Sequence, residues 1–355
     1  MKKFFMALAL AAVAMVATSC VQGDDDFAVK GPQKSVQFSL ANVISTRGED
    51  APIPNKTKVN LKNYQVFFVD ADGNFYAGST IDGGVVSQYF TTVSSDPMTF
   101  HFLPAAVEKV VVVGNYGSEI TAETAGSLSA VKQLIISAES QQNDENLLVY
   151  GEAELVAATE NDKHANTYVA NVHVKPLVAR IEVSGFACTF STEPLYEKID
   201  VTMVKLNNFY PTSNIGGAVS SADIQNSPIN DETAYPFFNA TAPDYSKDEI
   251  AVSLTPSAAA VELPDTGYLV YNFFPGDVPQ LVARVAGTNG TSVAPLYLAT
   301  NGFKKDGVSV TEFEPGTIYR MNFAFADTAL AQPEKCVEVS IEVAEWVVVN
   351  VTPEF

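Results

Sequence analysis

Apolar and polar residues alternate with period two along much of the chain, a spacing that predicts half-buried strands instead of helices. The first clear case is Ser35 to Leu40, where Val36, Phe38 and Leu40 fall on one side. Further strand-like runs follow at Tyr64 to Val69, Phe75-Tyr76, Glu108 to Tyr116, Leu147 to Leu155 and Tyr168 to Val174. Pro176 interrupts this series, and a second follows at Leu177 to Val183, Ile199 to Leu206, Tyr268 to Phe274, Leu281 to Val285 and Ile318 to Phe325. The last run, Cys336 to Val351, sets Val337, Val339, Ile341 and Val343 against Glu338, Ser340 and Glu342. Near Ala344-Glu345 its phase slips and brings Trp346 and Val348 to the inward register, as a bulge or a break into two strands would. One stretch differs: Leu128, Val131, Leu134 and Ile135 fit one helical face and predict a helix between Ala122 and Ile136. Ile44 to Lys56, with two prolines, and Pro211 to Glu249, rich in Ser, Asn, Asp, Pro and Gly, predict exposed loops.

With 355 residues, 47% apolar and 17% charged, the chain is long enough for two globular domains and too apolar for dominant disorder. Its 21 basic against 41 acidic residues give a net charge of −20, which repels phosphate backbones and argues against a nucleic-acid partner. The histidines His101, His164 and His173 stand at no metal-binding spacing, and no nucleophile elbow, P-loop or dinucleotide fingerprint occurs. A calcium reading of Asp70-Ala-Asp72-Gly73-Asn74 fails, because Phe75 and Ile81 stand where an EF-type loop needs Gly and Glu. A hairpin turn is the expectation there, and no catalytic residue, metal or cofactor is expected anywhere in the chain. The sequence does not read as an enzyme.

The amino terminus carries an address. Met1-Lys2-Lys3 is basic, Phe4 to Ala17 is apolar but short for a bilayer span, and small residues lead into Cys20. This pattern resembles the lipobox of bacterial lipoproteins, which implies a signal peptide over 1–19 and acylation, palmitate included, of Cys20. Asp24, Asp25 and Asp26 follow as a short acidic tether that resembles a surface-export tag. Of the remaining cysteines, Cys188 and Cys336, either a disulfide or two buried thiols fits the strands around them.

Taken in order, several segments resemble type V pilins, the fimbrillins of Bacteroidales-type bacteria. They are the lipobox at Cys20, the strand followed by Arg47, the hairpin Val66 to Gly73, Val-Val-Val-Gly-Asn115, Val-Tyr-Gly151-Glu, Leu-Val-Ala-Arg-Ile-Glu-Val183 and the Trp346-containing end. The resemblance implies a mainly all-β chain of two transthyretin-like β-sandwich domains with one or two short helices. It divides the chain into a lipidated propeptide over 20–47, an amino-terminal domain over 48–175 and a carboxy-terminal domain over 176–355. It also implies export to the outer membrane, cleavage between Arg47 and Gly48 by an arginine-specific protease, and polymerisation into a surface fimbrium serving adhesion.

In that scheme Val36, Phe38 and Leu40 form a removable strand. A donor strand over about 336–355, with Val337, Val339, Ile341, Val343, Trp346 and Val348, refills the groove in another copy. The implied partners are further copies of the chain, minor fimbrial subunits and host or bacterial surface ligands. Of the four arginines, Arg180, Arg284 and Arg320 lie in strand-like runs and only Arg47 in a loop. Asp327-Thr328-Ala329 resembles a short O-glycosylation motif. The alternative reading is a monomeric surface lipoprotein that binds glycan or host ligand through second-domain loops such as Pro211 to Glu249, with Phe209, Tyr210, Tyr235, Phe237, Phe238 and Tyr245 able to stack on sugars.

Overall fold

A computed structural model describes residues 33–40, 43–45, 58–77, 88–93, 97–143, 146–159, 166–229, 245–264, 267–292, 294–331, 336–345 and 347–350. The chain begins there with β1 (Gln33–Leu40), β2 (Val43–Ser45), β3 (Lys58–Leu61), β4 (Tyr64–Asp70), β5 (Phe75–Tyr76), β6 (Tyr89–Phe90), β7 (Met98–Pro104) and β8 (Val107–Gly114). Helix α1 (Leu128–Lys132) precedes β9 (Ile135–Ser137), β10 (Val149–Glu154), β11 (Val156–Ala157), β12 (Thr167–Val172) and β13 (Lys175–Pro176). Then come β14 (Ala179–Thr189), β15 (Lys198–Asn207), β16 (Thr212–Asn214), β17 (Lys247–Leu254), β18 (Ala260–Glu262), β19 (Leu269–Phe273) and β20 (Gln280–Asn289). The last are β21 (Thr291–Ser292), β22 (Leu296–Lys305), β23 (Val308–Val310), β24 (Thr317–Ala326), β25 (Cys336–Glu345) and β26 (Val347–Asn350). The chain is mainly β, as its alternation predicts.

Two sheets face each other in the first half, one ordered β11-β12-β1-β7 and the other β13-β10-β8-β4-β5 with β6 on β4. Val36, Phe38, Phe100 and Val172 from the first sheet and Val66, Phe68, Val110 and Val149 from the second enclose one apolar core. Phe68 meets Phe100 across it edge to face at 4.8 Å. Gly151 permits close approach of the layers, since a Cβ there would stand 2.2 Å from the His173 carbonyl oxygen. The β4–β5 hairpin turns on Gly73 at φ +86°, and Asp70 clamps it by accepting from the backbone N–H groups of Asp72 and Asn74.

The second half builds one large sheet ordered β17-β15-β20-β22-β25-β24-β14-β18, with β19 on β14. It folds over a second core, in which Val204, Leu281 and Phe303 meet Ile181, Tyr271 and Phe323. Tyr271 ties the two sides by donating its hydroxyl to the Val204 carbonyl at 3.2 Å. Strand β25 is the seam, parallel to β22 on one edge and antiparallel to β24 on the other.

The helix is shorter than its spacing predicts. It covers only Leu128–Lys132, capped by Ser127, whose Oγ accepts from Ala130 N at 3.3 Å, with Leu128 and Val131 buried. Ile135 to Ser137 instead pair with Thr212 to Asn214 in β16, so a ladder with a distant segment displaces the local preference. The same ladder gives part of the Pro211 to Glu249 stretch regular structure. Nearby, the Asn272 side chain donates to the Gln141 carbonyl at 2.6 Å and accepts from Arg180 Nε at 2.9 Å.

Candidate functional site

The sequence points to β1 and to the tail, and the structure gives each an interior seat in a sheet. Val36, Phe38 and Leu40 are buried in the first core, while Ser35, Gln37 and Ser39 alternate outward, as period two requires. Burying a Val, a Phe and a Leu contributes about 5–9 kcal/mol at the usual side-chain values. The seat is rich in aromatic rings: Phe38 lies 6.3 Å from Tyr64, which stacks on Phe90 at 4.9 Å. Burial pushes the Tyr64 hydroxyl up to about 12.

Backbone ladders hold β1 on both edges. It runs parallel to β12, with Ser35 opposite Thr167 and Leu40 opposite Val172, and antiparallel to β7, with Val36 opposite Phe100. Between Lys34 and Val36 the β7 ladder shifts, because His101 and Phe102 together oppose the single residue Ser35. Phe102 takes φ +61° in this bulge and is 58% exposed, an unusual place for an aromatic ring.

Three polar clips fasten the outer side of the strand. Lys34 Nζ donates to the Val107 carbonyl at 2.6 Å and sits 4.5 Å from the centre of the Tyr168 ring. Burial holds the Lys34 ammonium pKa below its ordinary value, against the opposing pull of Glu108. Ser35 Oγ meets His101 Nδ1 at 2.8 Å, and Ser39 Oγ donates to Asn171 Oδ1 at 2.5 Å. Sequence reasoning links none of His101, Asn171 or Tyr168 to β1, since each meets that strand only through long-range pairing.

The tail is divided. Val337, Val339, Ile341 and Val343 lie in β25, with Val339 in register with Phe303, Ile341 with Met321 and Val343 with Tyr319. Val348 lies in β26, which runs parallel to both β2 and β3 and pairs with Val43 on one edge and Val59 on the other. The two strands are separated at residue 346, close to where the alternation changes phase. Cys20, Arg47, Gly48 and Trp346 lie outside the described residues.

Beside β25, the outer face of β14 and β24 carries a buried ionic group. Glu182 Oε2 accepts from Arg320 Nε at 3.1 Å and from its terminal nitrogen at 2.9 Å, and Arg180 stands 3.6 Å from Oε1. Arg180, Arg284 and Arg320 all occupy strands. Cys188 is a buried free thiol, and burial pushes its pKa up to about 12. Thr328 is exposed beside Asp327, whose carboxylate accepts from Ser191 Oγ and Leu195 N.

Among the described residues, the aromatics offered for glycan stacking do not form a surface platform. Phe209 and Tyr210 are buried, and Tyr245 packs edge to face on Phe209 at 6.3 Å. Packing against the apolar cores accounts for them, while Tyr235, Phe237 and Phe238 lie outside the described residues. An open cleft of about 470 Å³ lies between the β4–β5 turn, α1 and Asn214 to Ala218.

No family model matches the sequence, and no curated protein matches it. Solved structures do. A candidate cell adhesion protein from Bacteroides eggerthii superposes with a TM-score of 0.53 at 16% identity, over 92% of this chain and 99% of that one. The fimbrilin of Porphyromonas gingivalis gives 0.51 at 15% identity, over 89% and 99%. A candidate cell adhesion protein of Parabacteroides distasonis gives 0.50 at 12% identity, over 91% and 98%. The chain shares the fold of these proteins. Both halves of the structure take part in the likeness, since the superpositions span nearly its whole length.

Proposed function

We propose that this protein is a structural subunit of a surface fimbrium serving adhesion. It is exported as an outer-membrane lipoprotein precursor acylated at Cys20 and is cut between Arg47 and Gly48. The cut frees β1, and the groove between β7 and β12 then receives the tail, residues 336–355, of a second copy. Chains joined in this way form the shaft, together with minor subunits of the same fimbrium. The two sandwich domains divide at residues 175 and 176, consistent with a first core drawn mostly from residues before 179 and a second drawn from residues after it.

The observation that carries this reading is the seat of β1. A strand at the edge of the chain, upstream of Arg47, fills an apolar slot and is paired on both sides, yet only the segment between it and β3 ties it to the domain it completes. Once that segment is cut, the strand is held only by non-covalent contacts. Its loss bares apolar surface and two rows of backbone groups, which a strand of matching alternation repairs. The names of the structurally similar proteins, adhesion proteins and a fimbrilin, favour the same role.

The test is to treat purified precursor with an arginine-specific protease and run the product unboiled on a denaturing gel. A ladder of multimers after cleavage at Arg47 is the expected result. Monomer bands alone, with cleavage at Arg47 confirmed by mass, would overturn the reading.

A further inference from the structure

Aligned without gaps, Pro32-Gln-Lys-Ser-Val-Gln-Phe-Ser-Leu40 and Pro333-Glu-Lys-Cys-Val-Glu-Val-Ser-Ile341 are nearly the same peptide. Pro, Lys, Val and the second Ser are identical, and Gln/Glu twice, Ser/Cys and Leu/Ile are close in size. Alternation alone explains the apolar matches. It does not explain why Lys34, Ser35 and Ser39, the three residues that make the polar clips, are answered by Lys335, Cys336 and Ser340.

The seats match as well. β1 lies between a parallel neighbour, β12, and an antiparallel one, β7; β25 lies between parallel β22 and antiparallel β24. A strand moved from one seat to the other therefore meets neighbours of the same two senses.

We propose that residues 333–341 are an in-register mimic of residues 32–40. Building on the strand-exchange reading above, Lys335, Cys336 and Ser340 of a second copy then take the places of Lys34, Ser35 and Ser39 against Tyr168, His101 and Asn171. The bulge at His101-Phe102 fixes the register, because a shift by two residues in either direction brings Glu338 or Glu334 to the position that Ser35 fills. Val339 underfills the aromatic pocket of Phe38, so the mimic binds less tightly than the strand it replaces and gains access only after the leader is cut away.

Donation empties the seam between β22 and β24, and the sheet has a way to close it. Those two strands run antiparallel to one another and are successive apart from the short β23, so they can pair as a wide hairpin with little loop-closure cost. β7 and β12 are separated in sequence by β8 to β11 and have no such local route. The vacancy thus costs more in the first sheet than in the second, which sets the direction of exchange.

Engineered cysteines test the register. In a Cys336→Ser background, Asn171→Cys is combined in turn with Ser340→Cys, Glu338→Cys, Glu342→Cys and Asn350→Cys. Each full-length precursor is cut at Arg47 and treated with a short bis-thiol crosslinker. The expected result is a covalent two-chain band on a boiled reducing gel with Ser340→Cys and its loss with the other three. A multimer ladder accompanied by crosslinking at 338, 342 or 350 instead, or at none of the four, overturns the register while leaving strand exchange standing. Absence of any ladder from the parent protein overturns strand exchange and the register with it.

Discussion

The leader strand β1 and the tail strand β25 occupy equivalent seats, each between one parallel and one antiparallel neighbour, but their surroundings differ. β1 completes a four-stranded sheet over an aromatic-rich core, and side-chain clips on its outer side fasten it at Lys34, Ser35 and Ser39. β25 joins two halves of a large sheet beside a buried Arg–Glu–Arg group. One seat is shaped for an occupant of particular side chains, whereas the other is tied to the continuity of its sheet. The contrast teaches that backbone pattern makes two strands exchangeable and that the residues flanking them decide where each resides.

The sharpest break in the comparison is Phe38→Ala. It removes a buried aromatic from the leader and should lower precursor stability by about 3–5 kcal/mol, read by urea unfolding of the first domain. After cleavage at Arg47 and removal of the leader, the same protein should unfold like wild type, because the altered residue is gone. A difference that persists would mean that β1 is not the separable part.

Glu182→Ala addresses the other seat. Arg180 and Arg320 then lose the carboxylate they share in the buried group, and the second domain should lose about 3 kcal/mol. That loss should be equal before and after cleavage, since this group does not touch the leader. Equal denaturation midpoints for Glu182→Ala and wild type would show that the ionic group contributes nothing net.

Much of this architecture is legible in the chain. The continuous apolar run from Tyr64 to Val69 and the alternating one from Ile318 to Phe325 form β4 and β24, because burial of both faces or of one specifies a strand locally. Val36, Phe38 and Leu40 show their common face in the same way. The helix over Ala122 to Ile136 is only partly legible: its short core, Leu128–Lys132, is local, whereas the pairing of Ile135 to Ser137 with β16 depends on residues far along the chain. The clips are hidden for the same reason. Nothing near His101 or Asn171 announces that Ser35 and Ser39 will lie against them, and the bulge at Phe102 arises from a ladder between segments well separated in sequence.

Phe102 offers a smaller test. A left-handed backbone conformation costs a non-glycine residue about 1–2 kcal/mol, and the ring, being largely exposed, returns little packing energy. Phe102→Gly should therefore raise precursor stability by up to about 1 kcal/mol, after allowing for the entropy glycine adds to the unfolded chain. Phe102→Ala keeps the strained φ and should bring no gain, and thermal melts of the two variants side by side separate backbone relief from loss of the ring.

The smallest effect lies away from both seats, in the β4–β5 turn. Asp70 accepts from the Asn74 side chain and backbone, from Tyr76 Oη and from Asp72 N, and these bonds, the Asn74 side chain foremost, hold its carboxyl pKa down to about 2. A carboxyl depressed in the folded state stabilises the fold above its unfolded pKa and loses that contribution as pH falls through the folded value. The turn's share of stability should thus be full at neutral pH and fade between about pH 4 and pH 2. Asp70→Ala should lower the urea midpoint of the first domain at pH 7, and the gap to wild type should narrow as pH approaches 2. A gap of constant size across that range would mean that the side chain acts by shape alone and not through its charge, and the hairpin beside the first core would then owe its form to Gly73 and the backbone.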